Sequence, residues 1–351
     1  MKSNHESTQL EEQILGAIHR DSLSDLEFND LAMDVFGYQF GHNLPYRRYC
    51  QALGVSPDQI SSWKEIPSIS TDAFKVVAHP LTTCPDLSPS HIFQTSGTTS
   101  DVRGRHLFPS IAMYEAAIIE GWKQLSLPKP QTVVFLTPHP EHAPNSSLSH
   151  MMGVLAAHYS EANIIWSIRD DGSMDFETIT RLASGGGPVA MLGTAIAFLH
   201  LFEHSAAIQL PSGSFAMETG GYKGTHRRLE KEELYSLFNE KLSLSPENVI
   251  NEYSMTELSS QFYTRGLGDV HRGPHWTRVR IIDPRTGKEA APGEPGHVAI
   301  YDLANLHSVS ALQTQDLAVA GPDGSFTLLG RDPTALPRGC SRAADHALQS
   351  R

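Results

Sequence analysis

Cysteine is scarce. The 351 residues hold three, Cys50, Cys84 and Cys340, and an odd, sparse set excludes a disulfide framework or a zinc knuckle. Long apolar runs are missing too: no window approaches 18 uninterrupted apolar residues, so no membrane span is expected. The polar opening, Met1-Lys2-Ser3-Asn4-His5-Glu6, has no apolar core of the secretory kind, which points to the cytoplasm. Positive charge is in deficit, with 27 Lys and Arg against 39 Asp and Glu and a net charge of −12. A chain of that sign does not wrap bare nucleic acid, whose phosphates need clustered Lys and Arg; a small nucleotide needs only a local site. There is no internal repeat and no low-complexity tract.

What remains is a globular composition, 40% hydrophobic and 19% charged, with 27 glycines and 22 prolines to make turns. The first eight or so residues read as frayed. Residues 10–53 then carry apolar side chains at helical spacing, Leu10, Ile14, Ile18, Leu31, Val35 and Phe40 among them. Pro45 is placed to start a helix over 46–53. Residues 67–89 are irregular.

From residue 91 the pattern changes. Short strands are expected at 91–94 and 105–108, with a helix over 110–125. Apolar strands at 132–136, 162–166, 189–192, 214–217 and 249–253 alternate with helices at 147–159, 175–183, 195–204 and 227–242. Such alternation predicts a largely parallel α/β sheet. After Gln261 the texture is all β, with strands at 279–282, 297–301, 312–315 and 326–329 separated by tight-turn sequences. The chain divides into an N-terminal helical segment (1–60), a core (61–332) and a short tail (333–351) that carries Cys340.

Three stretches carry chemistry. The first is Gln94-Thr95-Ser96-Gly97-Thr98-Thr99-Ser100, followed by Arg103 and Arg105. Its hydroxyls, backbone N–H groups and guanidinium groups suit a polyphosphate; a plain Ser/Thr loop between strands fits the composition as well. It is not a Walker loop, since Gly-x4-Gly-Lys-[Ser/Thr] is absent. The second is Asn251-Glu252-Tyr253-Ser254-Met255-Thr256-Glu257. A hydroxyl and a carboxylate at a strand end suit Mg²⁺ and phosphate oxygens, and Tyr253 suits base stacking; a strand-to-helix connection with Thr256 as cap is the alternative. The third pairs Gln313-Thr314-Gln315-Asp316 with Gly330-Arg331-Asp332. A carboxylate at a strand end can hold two ribose hydroxyls, or simply make a turn.

In this order the stretches resemble the adenylate-forming superfamily, and within it the LuxE-type acyl-protein synthetases. Five stretches carry the likeness: Asn145-Ser146-Ser147-Leu148-Ser149-His150-Met151, Gly193-Thr194-Ala195, Glu218-Thr219-Gly220-Gly221-Tyr222-Lys223-Gly224, the second stretch as it runs from Glu252 through Leu258-Ser259-Ser260-Gln261, and Arg338-Gly339-Cys340-Ser341. The resemblance spans roughly residues 10–345. It implies the large N-terminal α/β domain of that superfamily, layered sheets with a distorted β-barrel portion, and the mobile C-terminal domain truncated or absent. It implies ATP and Mg²⁺ as cofactors, and a two-step reaction. A carboxylic acid, a fatty acid by the resemblance, becomes an acyl-adenylate with release of pyrophosphate; a protein thiol then displaces AMP. An acyl reductase or acyl-carrier protein is the implied partner.

By the same resemblance Thr95, Ser96, Gly97, Thr98, Thr99 and Arg103 hold phosphates, Glu257 binds Mg²⁺, and Thr256 meets the α-phosphate. Glu218, Gly220, Gly221 and Tyr253 form the adenine pocket. Asp316 holds the ribose, and Arg331 the ribose or phosphate. Cys340 is the acyl acceptor, its thiolate favoured by Arg338 and Arg342; Cys50 and Cys84 are packing residues. Three departures stand out. Ser100, Arg103 and Gln315 replace a glycine, a lysine and a glycine common in the superfamily. The lysine that a C-terminal domain supplies has no counterpart here, because Lys288 is the last lysine. An arginine such as Arg338 serves instead, or a partner supplies the group, or adenylation is slow. Two other readings are an aryl- or acyl-CoA ligase of the phenylacetate type and a non-catalytic nucleotide- or partner-binding module. Of the 18 histidines, His139 and His142 flank Glu141, but Pro138, Pro140 and Pro144 preclude the helix that would converge them on a metal. His139 and His150 are instead candidates to line the acyl pocket.

Overall fold

The computed structural model describes residues 2–84, 89–95, 102–182, 186–220, 230–268 and 270–333. Three helices come first: α1 (Lys2–Ile18), α2 (Asp25–His42) and α3 (Leu44–Ala52). Contrary to the expected frayed start, α1 is helical from Lys2; Leu10, Ile14, Ala17 and Ile18 are buried, and a helix anchored on its later turns propagates backwards cheaply. Ser24 caps α2 in a capping box with Glu27. Pro45 sits in the first turn of α3, behind the Asn43 cap.

The middle of the chain runs β1 (Ile69–Ser70), β2 (His91–Gln94), β3 (Arg105–Phe108), α4 (Ala112–Lys123), β4 (Thr132–Leu136), α5 (Ser147–His158), β5 (Asn163–Trp166), α6 (Phe176–Leu182), β6 (Val189–Thr194), α7 (Ala195–His204), β7 (Phe215–Thr219), α8 (Lys231–Leu242), β8 (Val249–Tyr253) and β9 (Phe262–Arg265). A six-stranded sheet has the order β5-β4-β6-β7-β8-β9. All its pairs are parallel except β8 with β9. Strands β6, β7 and β8 are buried along their whole length, as expected of parallel strands covered on both faces. Val133 and Phe135 of β4 face the cluster that includes Tyr114, Trp122 and Met152 of α4 and α5; Val134 and Leu136 face Phe198, Tyr235 and Phe238 of α7 and α8. The sequence pattern did not single out β9, a four-residue antiparallel strand.

The last part is β: β10 (Thr277–Ile282), β11 (Pro295–Asp302), β12 (Ala311–Ala320) and β13 (Phe326–Arg331). Strand β12 is long enough to serve two partners on different halves. Its Leu312 and Gln313 pair in parallel with β1, and its residues 316–320 pair antiparallel with β13. Helices α1 to α3 share one apolar core with this sheet, including Phe28, Phe36, Tyr46 and Trp63 with Ile281, Val298 and Ile300. A two-stranded ribbon, β2 with β3, lies apart from both sheets.

Candidate active site

A cavity of about 320 Å³ opens beyond the carboxyl ends of the central strands, the place where open α/β sheets take ligands. Thr194 and Thr219, the last residues of β6 and β7, line it, as does Ser254 just after β8. The N-terminus of α5 forms another wall through Asn145, Ser146, Ser147 and Leu148. Ser146 caps that helix by accepting from the Ser149 N–H. A helix N-terminus presents N–H groups and a positive dipole end, which favour an anion.

Four residues named from the sequence meet here: Thr95, Arg103, Gly220 and Thr256 all line the cavity. Thr95 closes the base of its loop. Its N–H donates to the Gly104 carbonyl at 2.9 Å, and its hydroxyl accepts from the Gly104 N–H at 2.8 Å. A Cβ on Gly104 would stand 3.0 Å from Thr95 Cγ2, a tight contact that the Thr95 side chain would have to yield to. Gly220 turns the chain at the end of β7 with φ +88°. Ser96, Gly97, Thr98, Thr99, Gly221 and Cys340 lie outside the described residues.

Thr256 is held from two sides. Its carbonyl accepts from His106 Nδ1 of β3 at 2.9 Å, and its hydroxyl lies 3.4 Å from that of Ser147. A carbonyl only accepts, so Nδ1 carries the proton. Burial lowers the His106 pKa to about 4, against a smaller raising effect of the Thr256 bond. Glu257, next in the chain, is 2% exposed. It is not among the residues that line the cavity, and its carbonyl accepts from Asn305 Nδ2 at 2.8 Å.

A second cluster adjoins the first through β8. Tyr253 Oη donates to Asp316 Oδ2 at 3.0 Å, and Asp316 faces Arg331 across β12 and β13. The sequence placed Asp316 at a strand end. The pairing with β13 instead carries β12 on to Ala320, so Asp316 is inside the strand, beside a register shift at Leu317 and Ala318. Gln315, one of the departures, accepts from Arg331 Nη2 at 2.8 Å and donates to Asp72 Oδ2 at 2.9 Å.

Glu218 faces away from the cavity. It is fully buried on the α8 side, accepts from Asn251 Nδ2 at 2.7 Å, and lies near Tyr235. Its neighbour Thr219 is on the wall instead. Likewise His142 lines the cavity, not His139 or His150. His150 is held behind it, 3.0 Å from Glu115 Oε1 and packed on Phe93 and Tyr114. Cys50 and Cys84 are buried, and burial pushes the Cys50 thiol up to about 11. Sequence reasoning gave no role to Gln94, Tyr114, Thr194, Thr219 or Ser254. Thr194 and Thr219 lay within the stretches that carried the family likeness, and Ser254 within the second of the three stretches read for chemistry. Nothing in the sequence marked Tyr114.

Solved structures resemble this fold. 2-Hydroxyisobutyryl-CoA ligase, in a postadenylation state with 2-HIB-AMP, gives a TM-score of 0.67 at 16% identity, covering 94% of this chain and 74% of that one. ATP-bound MatB from Rhodopseudomonas palustris gives 0.50 at 16% identity over 68% of this chain and 47% of that one. The fold is that of the adenylate-forming enzymes. The sequence model of the LuxE family, acyl-protein synthetases, matches residues 17–349. The long-chain-fatty-acid–luciferin-component ligase of Vibrio harveyi is 22% identical over 340 residues, 92% of this chain and 88% of that protein. The chain belongs to the LuxE family of acyl-protein synthetases, and is an acid ligase.

Proposed function

We propose that the chain uses ATP to convert a carboxylic acid to its acyl-adenylate in this cavity, then passes the acyl group to the thiol of Cys340. The observation that carries the reading is the convergence of Thr95, Arg103, Gly220 and Thr256 with the N-terminus of α5. Hydroxyls, a guanidinium and helix N–H groups suit phosphate oxygens. In the first step a carboxylate oxygen attacks the α-phosphorus, the bond to the β-phosphate breaks, and pyrophosphate leaves. In the second, the thiolate attacks the acyl carbon and AMP leaves. Positioned donors of this kind act where charge develops.

Residues 96–99 complete the phosphate cradle in this reading. Tyr253 and Gly220, with Glu218 behind, serve the adenine; Asp316 serves the ribose, with Arg331 beside it. Mg²⁺ takes oxygen ligands and usually shares them with substrate phosphates. The Glu257 carboxylate and the Thr256 hydroxyl are such donors, consecutive and both buried. Bound there, the ion would neutralise phosphate charge. The name of the Vibrio harveyi relative makes a fatty acid the first substrate to try, with an acyl reductase or carrier protein as onward partner. Residues 1–60, 61–332 and 333–351 act as helical support, catalytic core and acceptor tail. No helix among the described residues is long and apolar enough to cross a membrane, and a cytoplasmic enzyme suits ATP and a free thiol. The family match does not favour the CoA-ligase or the non-catalytic reading. Acid-dependent release of pyrophosphate from ATP tests the first step; its absence with every fatty and aromatic acid would refute it.

A further inference from the structure

The ribbon of β2 and β3 belongs to neither sheet, yet it carries one side of the cavity. Thr95 follows β2, Arg103 precedes β3, and both line the cavity. The ribbon is packed by apolar contact: Phe93 and Phe108 join the cluster that includes Tyr114 and Ile118 of α4. Such packing is non-directional and does not by itself fix where the ribbon sits along the surface. Hydrogen bonds do. The Gln94 N–H donates to the Asn145 carbonyl at 2.9 Å, just before α5. On the other strand His106, paired with Phe93, donates from Nδ1 to the Thr256 carbonyl at 2.9 Å.

The His106 ring is 1% exposed and does not line the cavity itself. Phe74 and Phe108 pack against it, with ring centroids 5.4 and 4.0 Å away, which leaves it little room to turn. The far end of its bond is anchored independently. The next carbonyl, that of Glu257, accepts from Asn305 Nδ2 at 2.8 Å. Asn305 is 1% exposed, and its own carbonyl accepts from Gln39 Nε2 of α2 at 2.9 Å. Residues 256 and 257 are thereby tied to the body of the protein without help from the ribbon. The His106 bond therefore locates the ribbon: it sets the distance between the Thr95 and Arg103 side of the cavity and the Thr256 side.

We propose that His106 is a positioning residue for adenylation: by docking β3 on the Thr256 carbonyl, it holds the two sides of the cavity at the spacing that one ATP requires. This rests on the cavity being the ATP site. Misplacing a reacting or binding group by about 1 Å can cost about 100-fold in rate.

The test compares the full wild-type chain with His106→Leu, His106→Asn and His106→Gln. An asparagine amide nitrogen falls close to the Nδ1 it replaces, whereas that of glutamine falls nearer Nε2. The readouts are ATP binding by titration without acid, the melting curve, and pyrophosphate release with ATP, Mg²⁺ and whichever of a panel of fatty and aromatic acids the wild type activates. His106→Leu should weaken ATP binding and lower kcat by about 10- to 100-fold, and leave the KM for the acid within about twofold. His106→Asn should recover most of the loss and exceed His106→Gln in kcat by about fivefold, the worth of one hydrogen bond. A His106→Leu variant that melts earlier but keeps the wild-type kcat and ATP affinity while folded overturns the proposal. So does equal kcat for the asparagine and glutamine variants, a comparison that stands even where His106→Leu does not fold. No release by the wild type with any acid overturns the ATP reading and this proposal together.

Discussion

His106 should give the protein an acid-sensitive arm of stability. Its ring is 1% exposed, and burial lowers its pKa from the ordinary 6.5 to about 4, with a smaller lowering effect from His307. Between those values the unfolded chain binds a proton that the folded chain refuses. Stability contributed by the neutral ring is complete above pH 6.5 and is lost as pH falls towards 4. The 2.5-unit gap corresponds to about 3 kcal/mol. Asp302 works against this: burial raises its carboxyl to about 6, so its contribution falls as pH rises from 4 to 6, by a similar amount of about 3 kcal/mol. Other groups also shift, Glu252 upwards and Glu11 downwards among them, so the wild-type profile sums several contributions and does not isolate His106. His106→Gln isolates the imidazole. Urea unfolding at pH 7.5, 6.5, 5.5 and 4.5 should show the variant less stable at pH 7.5, with the gap closing by about 3 kcal/mol towards pH 4. A gap that does not change with pH would refute the reasoning.

Other substitutions address the site. Glu257→Gln should lower Mg²⁺-dependent pyrophosphate release by about 100-fold or more while the melting curve is kept; unchanged release would remove Glu257 from the metal. Asp316→Asn should raise the KM for ATP by about tenfold, as loss of one charge-assisted bond implies, and leave the KM for the acid alone. A change in the acid KM instead would contradict the ribose role.

Much of the fold was legible because parallel strands buried on both faces read as short apolar runs between turns. Residues 132–136 and 249–253 were bounded correctly for that reason. What escaped depended on partners distant in sequence: the second half of β12 exists because β13 pairs with it, and β9 because β8 lies beside it. The hydroxyl-rich stretches containing Thr95 and Thr256 stood out by composition. Thr194 and Thr219 did not, since a threonine ending a strand reads like any turn residue. Facing is the deeper difficulty. In a strand, one residue's difference exchanges the two faces, which is why Thr219 is on the wall and Glu218 is turned to α8. The burial of Glu252 was not legible, because a carboxylate in a strand looks solvent-facing until both faces are known to be covered.

The most direct test of the account is the intact mass of the full chain after incubation with ATP, Mg²⁺ and acid, before and after hydroxylamine, for the wild type and Cys340→Ser. The account predicts a hydroxylamine-labile acyl adduct on Cys340 of the wild type. The variant should carry none and still release pyrophosphate. A wild type that releases pyrophosphate without gaining an adduct, or an adduct that persists on Cys340→Ser, would contradict it.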